Sequence, residues 1–306
     1  VVILVSSTIS AQATRNAAKN EQTASSLARK ELPAGKSLKT PSKLALALWT
    51  PPDVDAGVPS VTEEVPCQLE EVLRGASRRV EEFAANLERF TATETIDSFE
   101  IGRDGRSKRS LTNKFNYLAM VSHSRAGNLT VTESRKQTGK GRATPLPIQT
   151  VGLAIGAVLF HPANIKHFNM VCEGLGEWHA RPAWLVHFEQ HTDKSSIFQE
   201  VGVNQRWFEV RLRGRAWIAA DNFQIAHLDF DLLKTIPQIR LVTEHMIVDY
   251  RAVNFAKRNT QLWLPESIDF YIDIQGHKYL NRHLLNNFFL FSVDASQEDQ
   301  LRWMPN

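Results

Sequence analysis

Gly214-Arg215-Ala216-Trp217-Ile218-Ala219-Ala220-Asp221-Asn222-Phe223-Gln224-Ile225 reads as a strand, a tight turn at Ala220-Asp221-Asn222 and a returning strand. Around it, β-prone runs follow at roughly 166–173, 182–190, 205–218, 223–232, 238–250, 257–264, 266–274 and 277–293. Turn signals such as Gly174-Leu175-Gly176 and Gln275-Gly276 separate several of them. Connections this short cannot hold helical crossovers, so the sheet they predict is antiparallel.

The same texture extends toward the N-terminus. Thr91–Ile96 is β-prone, and Phe99 and Ile101 lead into the hairpin signal Arg103-Asp104-Gly105. Phe115, Tyr117, Ala119 and Val121 alternate on the return, and Ala126-Gly127-Asn128 turns the chain into Leu129, Val131 and Glu133. Residues 134–150 read as a polar loop, and the apolar run 151–160 fits either a helix or a buried loop.

Before the strands, residues 65–90 repeat apolar positions at three- and four-residue steps: Leu69, Val72, Leu73, Ala76, Val80, Phe83, Leu87 and Phe90. Glu63, Glu64 and Pro66 suit a helix start, and Glu70–Arg74 and Arg78–Glu82 pair along the wet face. The fold class is therefore mainly β with one long N-terminal helix. We expect a curved antiparallel sheet, or incomplete β-barrel, of about ten or eleven strands, its concave side plugged by the helix. The domain reading is a leader at 1–13, a basic linker at 14–60, the half-barrel at 61–294 and a tail at 295–306.

Val1–Val5 is a short apolar run, and Ala11-Gln12-Ala13 fits a small-x-small cleavage site. The segment reads as a truncated secretory signal, too short to span a membrane. No other run reaches the ~18 apolar residues of a span. The expected location is therefore periplasmic, as an exported soluble protein. Cys67 and Cys172 fit that compartment, either as a disulfide or as two unrelated buried thiols.

The 306 residues carry 36 Lys plus Arg against 33 Asp plus Glu, a net charge of +3. Residues 14–50 hold seven basic and two acidic side chains, so the remainder of the chain is net acidic. A nucleic-acid binder concentrates positive charge on its folded domain, and this distribution argues against one.

Trp217, Ile218, Asp221 and Ile225, followed by Leu264-Pro265, resemble two recurring motifs of the outer-membrane lipoprotein carrier superfamily (LolA/LolB-like). One is a hairpin of W-I-D-x-x-x-x-x-I type; the other is a later h-x-L-P. The resemblance covers roughly 65–293. Stretches such as 89–94 and 181–190 are also similar to uncharacterised exported proteins of soil bacteria such as Acidobacteria. The resemblance implies a half-barrel that shelters a lipid or an acylated protein.

Five of the seven Trp and ten of the sixteen Phe fall between 178 and 291, enough to line an apolar groove. The expected lining is Trp184, Val186, Phe188, Trp207, Trp217, Ile218, Ile225, Ile247, Phe270 and Ile272; the alternative for each is plain core packing. Arg211, Arg213 and Arg215 alternate on one strand and offer a positive stripe to lipid head groups or an acidic partner.

Catalytic patterns are missing from the sequence. It has neither G-x-S-x-G nor H-E-x-x-H, and Gly35-Lys36-Ser37 has Lys30 where a P-loop needs glycine. His187/His191, His245 and His277/His283 read as surface or core polar residues rather than metal ligands. Asp229 and Asp231 share a face without a glycosidase context. The leading expectation is a non-catalytic, cofactor-free and metal-free carrier or binder of lipid-like or lipoprotein ligands. A closed-core interaction or sensor module with an envelope partner comes second, and a hydrolase-type enzyme third.

Overall fold

The computed structural model describes residues 3–7, 53–62, 65–86, 89–123, 129–138, 148–151, 153–192, 198–204 and 206–291. In chain order the elements begin with strand β1 (Ile3–Ser7), helix α1 (Leu69–Asn86), and strands β2 (Arg89–Ile101), β3 (Ser107–His123), β4 (Leu129–Gln137) and β5 (Ile148–Val151). A 3-10 helix (Leu153–Phe160), the short helix α2 (Pro162–Ile165), and strands β6 (Phe168–Trp178), β7 (Arg181–Gln190), β8 (Gln199–Val203) and β9 (Arg206–Val210) follow. The last five strands are β10 (Leu212–Ala219), β11 (Ile225–Leu232), β12 (Leu241–Phe255), β13 (Thr260–Ile274) and β14 (His277–Phe291).

Ten strands form one open antiparallel sheet in the order β4-β3-β2-β14-β13-β12-β11-β10-β7-β6. Four more form a small sheet, β5-β1-β8-β9, in which β1 pairs parallel with β5 and antiparallel with β8. Several sequence expectations shift here. The run 205–218 is two strands in different sheets, divided at Arg211. Thr260–Ile274 is one strand that passes through Pro265, opposite a register shift between Asp249 and Tyr250. Helical periodicity ends at Asn86, and Phe90 belongs to β2, whose burial alternates with period two. The apolar run of 151–160 resolves into the end of β5 and the 3-10 helix. Within the expected polar loop 134–150, β4 runs on to Gln137 and β5 begins at Ile148. Glu63, Glu64 and the turn 126–128 lie outside the described residues.

The Gly174-Leu175-Gly176 turn signal is a bulge instead. β6 continues to Trp178 with a register shift between Cys172 and Gly174. Gly174 has φ +141°, and a Cβ there would lie 2.9 Å from the Cβ of Val61. The real turn uses His179 and Ala180, both with positive φ.

The large sheet has two distinct faces. Leu212, Ala216 and Ile218 of β10 face Val186 and Phe188 of β7 and Leu228 and Phe230 of β11 in the main core. α1 contributes Val72, Ala76, Val80 and Ala84, and the 3-10 helix contributes Val158, Leu159 and Phe160. The small sheet adds Val201, Val203 and Val210. Phe160, Phe168 and Phe188 meet edge to face, as do Phe168 and Phe198. No helix among the described residues is long and apolar enough to cross a membrane.

Cys67 and Cys172 form a disulfide that ties the chain two residues before α1 to edge strand β6. Thr62 adds a bridge to Leu175 on the same strand, its N–H donating to the Leu175 carbonyl at 2.7 Å. The bridge closes a loop of 105 positions, which the chain-entropy view values at about 4–5 kcal/mol. The Cys67→Ser/Cys172→Ser variant should unfold at clearly lower urea than the wild type, and adding reductant should shift the wild type the same way. Urea titrations followed by Trp fluorescence check both.

Candidate functional site

The ten groove candidates do not share one lining. Val186, Phe188, Ile218, Phe270 and Ile272 are buried in the main core, and Trp184 packs half-buried beside them. Trp217 faces the other way, in a separate cluster with Ala183, Leu185, Val61 and Trp178. Trp178 stacks on His227 with ring centroids 3.8 Å apart. Ile247 pairs with Asp229 on that same outer face. Trp207 lies in the small sheet, where a Cβ on Gly202 would lie 3.2 Å from its ring. Of the ten, Ile225 alone lines the open cleft described next.

That cleft lies at the seam between α1 and the sheet. Its walls are Val80 and Phe83 of α1, Ala157 of the 3-10 helix, and Ile225, Tyr250 and Trp263 of the sheet, with Arg79 and Gln224 completing the lining. The cavity itself is about 20 Å³, room for about one water molecule. Ligand pockets begin near 300 Å³, so the cleft as it stands marks an apolar seam that must widen before it seats any part of an acyl chain.

Three polar ties hold the covering elements. Ser77 Oγ donates to the Phe160 carbonyl at 3.0 Å. Arg79 Nε donates to the Asn222 carbonyl at 2.8 Å, fixing α1 to the β10–β11 turn. The Ala157 N–H donates to Tyr250 Oη at 2.9 Å. Burial raises the Tyr250 pKa, so its hydroxyl stays protonated.

A second feature of the inner face escaped the sequence reading. Glu94 of β2 is fully buried and accepts from Arg135 of β4 through both oxygens, at 2.6 and 3.0 Å. His283 Nδ1 of β14 meets the same carboxylate at 2.8 Å. Arg135 also stacks over the Tyr117 ring at 5.1 Å. Burial pushes the Glu94 pKa up, but Arg135 and His283 outweigh it and hold the carboxyl at about 2. The stability this carboxylate contributes is full above its unfolded value of 4.5 and is lost as pH falls toward 2. The signal was present in sequence: Glu94 continues the in-facing series Phe90, Ala92, Ile96.

The arginine stripe is not a free surface. Arg215 is 2% exposed; its Nε and Nη2 reach Glu173 at 2.5 and 2.8 Å. Arg213 pairs with Asp53 and Asp55. Arg211 pairs with Glu209 at 3.2 Å and donates to the His191 carbonyl. Each positive charge thus meets acid from its own chain.

Nothing among the described residues assembles a nucleophile with a base. Ser267 Oγ donates to Asp249 at 2.9 Å, and Asp249 also takes His227 Nδ1 at 2.7 Å. The carboxylate lies between hydroxyl and imidazole, whereas activating a serine needs the imidazole between. No group of three His, Cys, Asp or Glu among the described residues is placed to hold a metal ion.

Neither a protein-family model nor a curated protein matches the sequence. Three solved structures overlap it in part. A LolA superfamily protein from Nitrosomonas europaea is 9% identical over 74% of this chain and 96% of its own, at TM-score 0.36. A DUF1329 family protein from Desulfovibrio piger is 9% identical over 74% and 95%, at 0.38. A domain assigned as an outer-membrane lipoprotein-sorting protein, from Vibrio parahaemolyticus, is 8% identical over 77% and 98%, at 0.40.

Glu244 of β12 is an acid inside the apolar core, 2% exposed, where the side-chain amide of Gln199 on β8 donates to it. Burial pushes its pKa up to about 8, against a small opposing effect of the Gln199 hydrogen bond. Between pH 4.5 and 8 the unfolded chain releases this proton while the folded chain keeps it, so stability declines as pH rises through that window. Glu244→Gln should flatten that decline and raise stability at pH 7 by about 1–3 kcal/mol. Urea unfolding of both proteins at pH 5, 7 and 9 checks it.

Proposed function

We propose that this chain is an exported, non-catalytic envelope protein that binds an acyl chain, carried by a lipid or an acylated protein. Access is at the seam between α1 and the sheet. The observation that carries this reading is the cleft itself: an apolar wall of Val80, Phe83, Ala157, Ile225 and Trp263 that opens to solvent beside the largely apolar inner face of the sheet. Each methylene buried there contributes about 0.8 kcal/mol, so affinity needs no polar contact. Full entry requires α1 and the 3-10 helix to lift from the sheet. The ties opposing that motion are the hydrogen bonds at Ser77, Arg79 and Tyr250.

Export is part of the same reading. The Cys67–Cys172 bridge suits an oxidising compartment. Cleavage after Ala13 would remove β1 from between β5 and β8. Protein secreted through a bacterial inner membrane should then begin at Thr14, which N-terminal sequencing reads directly.

The filled interior favours a second reading, an interaction module whose core never opens. Phe160 and the aromatic rings around it occupy the space where an acyl chain would lie. Native mass spectrometry of periplasmic protein before and after delipidation, followed by titration with a fluorescent fatty acid, separates the two. The carrier reading expects a bound mass of lipid size that delipidation removes, and saturable uptake weakened at least tenfold by Trp263→Ala. An apo mass with no uptake of probe or acylated peptide leaves the interaction module.

A further inference from the structure

On the outer face, opposite the cleft, the chain holds a tripeptide of its own. Asp53-Val54-Asp55 lies in a site built from β7, β10 and β11. Arg213 Nη2 donates to both carboxylate oxygens of Asp53 at 3.1 Å, and Nη1 reaches Asp55. His187 Nε2 meets the other oxygen of Asp55 at 3.0 Å.

The backbone between the two acids is read as well. The Val54 N–H donates to Asp231 at 2.8 Å, and Arg215 Nη1 donates to the Val54 carbonyl at 2.6 Å. The Val54 side chain is 2% exposed, while Asp53, Asp55, Ala56, Gly57 and Val58 are open to solvent. The site itself is prearranged. Glu173 fixes Arg215 from both nitrogens, and His245 Nδ1 meets the second oxygen of Asp231 at 2.6 Å.

We infer that Arg213, Arg215, His187 and Asp231 form a recognition site for an extended acidic–aliphatic–acidic peptide of a partner protein, which residues 53–55 occupy in cis. Two charged side chains, one apolar side chain and both backbone groups of the central residue are matched, which is the full set of contacts by which a short peptide is read. The outer ion pairs are exposed and so individually weak. One buried valine and a few such contacts make an exchangeable occupant, retained by the high effective concentration of a tethered segment. The Thr62–Leu175 bridge, backed by the Cys67–Cys172 disulfide, sets that tether, with six residues between Asp55 and Thr62.

The test uses the full chain. Asp53→Ala/Val54→Gly/Asp55→Ala empties the site, and a fluorescein-labelled peptide of residues 49–58 is then titrated by anisotropy. The emptied chain should bind it with micromolar affinity that weakens with salt, and the wild type at least tenfold more weakly. Adding Arg213→Ala to the emptied chain, or replacing both peptide aspartates by asparagine, should cost at least tenfold. A folded triple variant that ignores the peptide, or binds the asparagine form equally, overturns the inference.

Hydrogen exchange on the unmodified chain provides a reading that needs no variant. Millimolar acidic peptide should accelerate exchange at 53–58 and leave β10 unchanged; no acceleration overturns the inference. A concentration-dependent dimer of the wild type, dispersed by excess peptide, would assign the site to residues 53–55 of a second copy and overturn the partner assignment.

Discussion

Everything in this structure depends on covering one face of the ten-stranded sheet. From β6 to β13 that face is apolar apart from the buried Gln190 and Glu244, and an open sheet does not close on itself to hide it. α1, the 3-10 helix and the small sheet supply the cover. At the seam, polar groups hold it as well as packing: Ser77, Arg79 and Tyr250 each satisfy a backbone group that would otherwise be stranded at the junction. A cover fixed by a few hydrogen bonds over a largely apolar surface can separate at modest cost. One tightened by interlocking rings, as around Phe160, separates only at greater cost. Both conditions coexist here, and the cleft lies where the first prevails.

The inner face changes character toward β4. There Glu94, Arg135 and His283 form a buried charged group where the other end has leucine, isoleucine and phenylalanine. Burying such a group gains little net stability over an apolar packing of the same volume, but breaking it leaves a charge stranded. Its effect is to penalise any register of β2, β4 and β14 that separates the three. In a meander whose β2 closes on the distant β14, with 189 positions between Glu94 and His283, that penalty bears on the pairing with the longest loop to close.

The strand-rich class and the antiparallel pairing of the large sheet were legible from periodicity and turn chemistry. The division of faces was legible only in part. Trp217 and Ile218 are adjacent on a strand, so one of them had to point away from any groove, and the even spacing of Trp217 from Arg213 and Arg215 puts it on their face. Register shifts hid the rest. Gly174 signals a turn in sequence yet makes a bulge, because Val61 closes against it from a segment 113 positions earlier. Pro265 ends a strand in most contexts, but here it falls opposite the shift at Tyr250, where the ladder is already irregular. The small sheet went unread because its short strands carry too few alternations to separate from loop.

The arginines show where local pattern misleads. Three alternating Arg on a strand suggest an open basic surface, and sequence cannot reveal that Asp53, Asp55 and Glu173 arrive from elsewhere to meet them. Once paired, they leave the body of the protein with short-range rather than long-range electrostatics. The excess positive charge of the sequence lies in residues 14–50, seven basic against two acidic. A partner drawn by charge would therefore be drawn to that segment first. What it meets on the folded face is a site that discriminates by geometry: a guanidinium fork at fixed spacing, a valine-sized hole and one donor–acceptor pair for backbone. Attraction and selection are thus carried by different stretches of one chain, joined at Asp53.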